Sequence, residues 1–108
     1  MEGSKRLKFN EFPKAQEKRE EFYAHLKSQS PQAATGFLAA LEETYLLIHQ
    51  FPEIFCKVTG ETRMAFHRKF PNHLILYRLT ENSVDVFLIL HASRDYARVL
   101  KKGVSMLE

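Results

Sequence analysis

Three side chains near the end of the sequence have types and a spacing that could do chemistry: His91, Arg94 and Tyr96. They follow an apolar run that predicts a strand, so they would lie together at one end of that strand. Arginine binds phosphate through paired hydrogen bonds, and histidine moves protons near neutral pH. A surface histidine followed by a structural contact between Arg94 and Asp95 explains the same residues without any activity. The residues alone favour that second interpretation, so no catalytic residue is assigned firmly.

Elsewhere the sequence contains no nucleophile elbow, no glycine-rich phosphate loop and no cysteine–histidine zinc motif. We therefore expect no cofactor and no metal site. The single cysteine, Cys56, has no partner for an internal disulfide, which is typical of a reducing cytoplasm. No apolar run reaches about 18 residues, and residues 1–10 lack an apolar stretch. We expect neither a membrane span nor a secretory signal.

Charge is distributed unevenly along the 108 residues. Residues 1–56 carry 7 Lys/Arg and 8 Asp/Glu, whereas residues 57–108 carry 9 Lys/Arg and 5 Asp/Glu. A basic half attracts nucleic acid or an acidic protein. A solvated basic surface without a partner has the same composition, so charge alone leaves both interpretations open.

The first half of the sequence predicts two helices joined by a tight turn. Lys14 to Ser28 consists mostly of helix formers with a thin apolar stripe, so this helix buries only one edge. Ser30 suits the N-cap and Pro31 the first position of a second helix. That helix ends at about Gln50, because Pro52 blocks its continuation. Its wide apolar face predicts cover from both the first helix and a sheet.

An alternating pattern after the helices predicts an α+β fold with a small antiparallel sheet. Four strands are predicted: Arg6 to Phe12, Thr62 to Arg68, His73 to Leu79 and Val84 to His91. The last two form a hairpin in which Leu79 lies opposite Val84, so that His73 would lie opposite Leu90. A short helix over Ser93 to Lys102 ends a single domain of residues 1–108, with residues 1–5 and 103–108 frayed.

Both faces of this strand hairpin are apolar at their centre. The helices cover one face, and the other carries Leu74, Leu76, Phe87 and Ile89. Large apolar areas are rarely left in water. The second face must therefore be covered by the rest of the chain or by a partner.

These features, in this order, resemble the ParE/RelE superfamily of small bacterial toxins. The features are an N-terminal strand, a helical hairpin with Pro31-Gln32-Ala33-Ala34 and a Phe51-Pro52 stop, a strand with Arg63, a strand ending in Tyr77-Arg78, and a strand closing on His91 with Arg94-Asp95. They span about Leu7 to Leu100 and look most like the ParE branch with its plasmid stabilisation proteins.

The resemblance implies a cytoplasmic toxin held inactive in a hetero-oligomer by a cognate antitoxin, whose extended C-terminal segment wraps it. ParE-like toxins act on DNA gyrase, whereas RelE-like toxins cut messenger RNA in the ribosome. We expect the antitoxin to cover the second face of the strand hairpin or a free edge beside it. The residues expected to bind it are Leu74, Leu76, Phe87 and Ile89.

RelE-like cleavage requires several basic residues and usually a tyrosine. The matching positions here carry Ala65, Leu74 and Leu100, and Arg94 is the one good match. This depleted basic set favours a toxin that binds and poisons its target over an enzyme. The candidate target contacts are Arg63, Arg94 and Arg98. The alternatives are an endoribonuclease using His91, Arg94 and Tyr96, and an interaction module that has lost its toxicity.

Overall fold

A computed structural model describes residues 7–95 of the protein. In chain order the elements are β1 (Lys8–Glu11), α1 (Pro13–Gln29), α2 (Pro31–Gln50), β2 (Lys57–Thr59), β3 (Thr62–Phe66), β4 (His73–Leu79) and β5 (Ser83–His91). Residues 92–95 are again helical. The predicted α+β fold is confirmed: an N-terminal strand, a helical hairpin, a mostly antiparallel sheet and a short C-terminal helix. The ends expected to be frayed, residues 1–5 and 103–108, lie outside the described residues.

The helical hairpin has the predicted boundaries to within a residue. The Ser30 hydroxyl accepts a hydrogen bond from the Ala33 N–H at 3.2 Å, so it caps the first turn of α2. The side chains that α2 buries recur at helical spacing: Ala34, Phe37, Ala40, Leu41, Thr44 and Ile48. α1 buries only Ala15 and Phe22. Both helices therefore pack on one face of the sheet, and α1 remains largely at the surface.

The strands lie in the order β1-β5-β4-β3-β2, and two of them differ from the prediction. β1 pairs in parallel with β5, with Lys8 beside Ser83 and Glu11 beside Val86. β2 was not predicted at all. Its signal in the sequence is Gly60, whose φ of +52° in the turn before β3 is a conformation that glycine adopts readily. β2 forms the outer edge opposite β1.

A partly buried polar cluster links β1 to both helices. The Glu11 carboxylate accepts hydrogen bonds from Arg19 Nε at 2.9 Å and Arg19 Nη2 at 3.0 Å. It also accepts one from the Tyr45 hydroxyl at 2.7 Å. Burial raises the pKa of Tyr45, so its hydroxyl keeps its proton. Charge-assisted bonds of this kind hold the N-terminal strand in its parallel position.

The predicted register of the β4–β5 hairpin is correct only near the turn. Leu79 lies opposite Val84 and Tyr77 opposite Val86, as expected. A β-bulge then shifts the pairing by one residue, so that His73 lies opposite His91 rather than Leu90. The strands are apolar on both faces, so the sequence pattern does not specify register.

The bulge exchanges residues between the two faces of the sheet. Ile89 lies in the helix-covered core with Ile75 and Tyr77, so its predicted place beside Phe87 was wrong. The second cluster is formed by Leu74, Leu76, Phe87, Leu88 and Leu90. Their side chains are only 2–3% exposed in the single chain. The centre of the second face is therefore buried by the chain itself and is not an open patch.

His67 ends β3 and shapes the turn that leads to β4. Its Nδ1 accepts hydrogen bonds from the N–H groups of Lys69 at 3.1 Å and Phe70 at 2.9 Å. Its Nε2 lies 2.9 Å from the Phe37 carbonyl. Because Nδ1 accepts, the proton must sit on Nε2 and the ring is neutral. Burial lowers the pKa of His67, which favours the same state.

Candidate functional site

The two predicted arginines that the structure describes lie at opposite ends of the sheet. Arg63 lies on β3 opposite Tyr77, whereas Arg94 follows β5, beyond His91. Arg63 lies on the helix-covered face of β3, where Ala65, two residues further on, is fully buried.

The guanidinium of Arg63 is hydrogen-bonded to the backbone of the loop after α2. Its Nη1 donates to the Phe55 carbonyl at 2.7 Å and to the Glu53 carbonyl at 3.4 Å. The Tyr77 hydroxyl donates to the Pro52 carbonyl of the same loop at 2.7 Å. Burial raises the pKa of Tyr77 to about 12. Arg63 and Tyr77 therefore hold the loop after α2 in place, and the Nη1 group of Arg63 is used within the fold.

The other end of the sheet is organised around His91. Its backbone N–H donates to Asp95 Oδ2 at 3.0 Å, and its Nδ1 lies 3.0 Å from the Ser93 hydroxyl. The Ala92 N–H donates to the Asn72 carbonyl at 2.6 Å. These contacts turn the chain at the end of β5. They place Arg94 above the Phe22 ring of α1, 5.6 Å from its centroid.

This turn and α1 enclose a cleft of about 280 Å³. We call it the histidine cleft, and it is lined by Phe22, His25, Leu26, Gln29, His73, His91 and Arg94. Sequence analysis predicted two of these residues, His91 and Arg94, and the structure brings both into the cleft. It missed His25, Gln29 and His73. The only sequence signal for His73 was its place at the start of a strand paired with the strand of His91.

His73 is the most perturbed group in the histidine cleft. Its side chain is 8% exposed, and its ring meets the His91 ring edge-on at a centroid distance of 5.0 Å. Burial and the neighbouring His91 lower the pKa of His73 to about 4. His73 is therefore neutral at physiological pH. Its Nδ1 is buried and has no hydrogen-bond partner within residues 7–95.

Tyr96 and Arg98, the remaining site candidates from the sequence, lie outside the described residues, as does Leu100. Among the described residues, the positions expected for messenger cleavage do not form a basic cluster. Leu74, which stands where the RelE branch carries an arginine, is buried in the second cluster. Arg63 is engaged by loop carbonyls. Arg94 and His91 are the described candidates that share one site.

Within residues 7–95, no group of three or more histidine, cysteine, aspartate or glutamate side chains has an arrangement that could hold a metal ion. No helix in this part of the chain is long and apolar enough to cross a membrane.

Comparison with known proteins identifies the class of this fold. Residues 13–96 match the family described as ParE toxin of type II toxin-antitoxin system, parDE. The match takes in the helical hairpin, all strands after β1 and the turn that carries His91 and Arg94. The protein belongs to the ParE toxin family.

A solved structure with the same fold is a chain from the chromosomal ParDE toxin–antitoxin system of P. aeruginosa. The two chains are 13% identical, with a TM-score of 0.71 over 82% of this chain and 98% of that one. At this identity the likeness concerns the fold alone. A search of the curated proteins finds no match.

Proposed function

We propose that this protein is the toxin of a bacterial type II toxin–antitoxin pair. In this proposal it acts in the cytoplasm by binding and poisoning a cellular target, and a cognate antitoxin silences it. The observation that carries the proposal is the family match over residues 13–96. The target suggested by the resemblance to the ParE branch is DNA gyrase.

The arrangement of basic side chains favours binding over cleavage. General acid–base catalysis requires groups placed together around the reacting atoms. Arg63 contributes to a loop contact at one end of the sheet, while Arg94 lies at the other end. A binding toxin tolerates this separation, because contacts to a protein target are spread over a surface. Arg94, which is exposed and forms no ion pair within residues 7–95, is the strongest target contact.

One observation supports the second candidate function, messenger cleavage. His91 and Arg94 line the same cleft, and both residue types serve phosphodiester chemistry. In that case His91 would act as the acid or base and Arg94 would hold the phosphate.

Expression of the protein in bacteria without an antitoxin separates the two functions. The binding proposal predicts growth arrest with induction of the DNA-damage response, and His91→Ala should arrest growth equally. Translation arrest that disappears with His91→Ala would establish the nuclease instead. Co-expression of the small neighbouring reading frame should restore growth. If neither form arrests growth at matched expression, the copy has lost its toxicity.

We further propose that the antitoxin adds an extended segment beside β3, at the rim of the second cluster. Residues Leu74, Leu76 and Phe87 remain part of this site, but their side chains are buried. Phe66, which pairs with Leu74, is 53% exposed, and Met64 on the same face is only partly buried. Phe66 is therefore the side chain at this rim that is most accessible to an antitoxin.

The backbone of β3 offers a free edge at the same place. The His67 N–H donates to the His73 carbonyl on β4. The Met64 N–H points away from β4 and donates to the Cys56 carbonyl. Alternate residues of a strand direct their backbone groups to the same side. The N–H of Phe66 therefore points outward, past the end of β2, where a partner strand could accept its hydrogen. Strand addition of this kind combines backbone hydrogen bonds with apolar anchors.

Residue-resolved hydrogen exchange in the free and antitoxin-bound protein tests this placement. The Phe66 amide should exchange at least about tenfold more slowly in the complex, which corresponds to one added hydrogen bond. The Ala65 amide, directed at β4, is the internal control and should change little. Protection confined to α1, with Phe66 unchanged, would rule out strand addition at this edge.

A further inference from the structure

The histidine cleft concentrates donors and positive charge. Its lining contains an arginine, three histidines and one glutamine amide, and no carboxylate. Arg94 has five N–H donors and no acceptor. Its side chain is exposed, and no carboxylate forms an ion pair with it within residues 7–95. The cleft therefore has the chemistry of an anion site.

A second observation points to a missing ligand. The Nδ1 of His73 is buried and forms no well-aligned hydrogen bond among the described residues, although buried polar atoms nearly always have one. The Phe70 carbonyl interacts with this imidazole but already accepts from the His73 backbone N–H at 2.9 Å. His73 lines the same cleft as Arg94 and contacts the His91 ring. A ligand with several oxygens could accept hydrogen bonds from both His73 and the Arg94 guanidinium.

Two features oppose an anion. Asp95 does not line the cleft, but its carboxylate accepts from the His91 backbone N–H at 3.0 Å and so lies close to it. The last turn of α1 contributes His25, Leu26 and Gln29, and the carbonyls at a helix C-terminus carry partial negative charge. Two of these carbonyls are already satisfied. The His25 carbonyl accepts from the Ser28 hydroxyl at 2.7 Å, and the Leu26 carbonyl accepts from the Ser30 N–H at 2.7 Å. The helix end amounts to only about half a charge, and the Asp95 carboxylate is already hydrogen-bonded within the turn. Against them stand the full positive charge of Arg94 and the donors of the histidine and glutamine side chains.

We propose that the histidine cleft binds a phosphate group, held by Arg94 with His91 and His73 as further partners. An arginine and two imidazoles present polar groups from different directions, which suits the tetrahedral oxygens of phosphate better than a planar carboxylate. A volume of about 280 Å³ also leaves room for a small group attached to the phosphate. This site goes beyond the proposed binding toxin, to which no small ligand has been assigned, and it does not require His91 to act as an acid or base.

Titration of the full-length protein with inorganic phosphate at constant ionic strength tests the proposal. Side-chain NMR signals of His73, His91 and Arg94 should shift together and saturate. Arg94→Gln should weaken binding at least about tenfold, since it removes the charge-assisted bonds, and Arg94→Lys should retain part of the affinity. Arg68→Gln is the matched control, because Arg68 is exposed and does not line the cleft.

Adenosine 5′-monophosphate and adenosine distinguish the source of the phosphate. Tighter binding of the monophosphate than of inorganic phosphate indicates a nucleotide, and equal binding indicates free phosphate. Both results support the site. Three results would overturn it: no saturable shift with phosphate, equal binding by Arg94→Gln, or adenosine binding as tightly as its monophosphate.

Discussion

The two ends of the central strands use similar side chains in different ways. At one end Arg63 Nη1 donates to the Phe55 carbonyl and the Tyr77 hydroxyl donates to the Pro52 carbonyl, so both donors are used within the fold. At the other end Arg94 lies over an aromatic ring, and a buried nitrogen of His73 has no partner among the described residues. At the first end these donors stabilise the fold. At the second end Arg94 and His73 retain polar atoms that could contact a ligand.

The comparison shows that residue type alone does not identify a functional arginine. Sequence analysis gave Arg63 and Arg94 the same role as target contacts. Hydrogen-bond partners separate them, because backbone carbonyls engage the Nη1 group of Arg63, whereas Arg94 forms no ion pair within residues 7–95.

Arg63→Gln should lower the free energy of unfolding by about 1.5–3 kcal/mol, the range for hydrogen bonds that involve a charged group. The loop after α2 would lose its contact to the Phe55 carbonyl. Chemical denaturation of the purified protein measures this, with Arg68→Gln as the control that should change it little. A loss below about 0.5 kcal/mol, as at ordinary surface sites, would mean that Arg63 is not structural.

Acid should destabilise the protein through His73. Its pKa is about 4 in the folded protein and about 6.5 when unfolded, so between these values only the unfolded state binds the proton. The contribution of His73 should therefore lower stability by about 1–3 kcal/mol as pH drops from about 6.5 to 4, and this contribution should level off below that.

Denaturation at several pH values in His73→Phe measures this contribution. The variant should lose most of the pH dependence, while part remains from His67, whose pKa is also lowered. His25→Gln, at an exposed position of the histidine cleft, should keep the original slope. An unchanged slope in His73→Phe would contradict the assigned cause.

Tyr77→Phe should lower the free energy of unfolding by about 0.5–1.5 kcal/mol, because it removes one neutral hydrogen bond and leaves the ring in place. The Pro52 carbonyl keeps access to water if the loop loosens, which limits the loss. Thermal unfolding of both proteins in the same buffer gives the difference. An equally stable variant would show that the hydroxyl does not anchor the loop.

Arg94→Gln should change stability by less than about 0.5 kcal/mol, as expected for an exposed side chain. It should nevertheless reduce toxicity and weaken the salt dependence of target binding, since a surface charge acts mainly on association. Growth of cells expressing each form at matched levels measures the first effect. Full toxicity in the variant would remove Arg94 from the target surface.

The sequence predicted those parts of the fold that depend on local signals. Ser30-Pro31 and Phe51-Pro52 bound α2, and the period change after Thr62 locates the sheet. The parallel pairing of β1 with β5 could not be predicted, because it joins residues 75 positions apart. The β-bulge could not be predicted from the sequence, because strands that are apolar on both faces do not specify their register.

The candidate site was predicted only in part for the same reason. His91 and Arg94 were recognised because they lie close together after a strand. His73 was placed opposite Leu90, and only the bulge brings it beside His91. The contribution of α1 to the histidine cleft is a tertiary contact without a local pattern. The hydrogen bond from Arg63 to the Phe55 carbonyl of the loop after α2 likewise depends on the folded structure.

The central claim is that this ParE-family protein acts by binding and not by acid–base cleavage. The most direct measurement adds purified protein, in parallel, to DNA gyrase with supercoiled DNA and to ribosomes translating a defined messenger. The account predicts gyrase-dependent DNA breaks and intact messenger, with the same result for His91→Ala. Specific messenger cleavage that disappears in His91→Ala, without gyrase-dependent breaks, would contradict it.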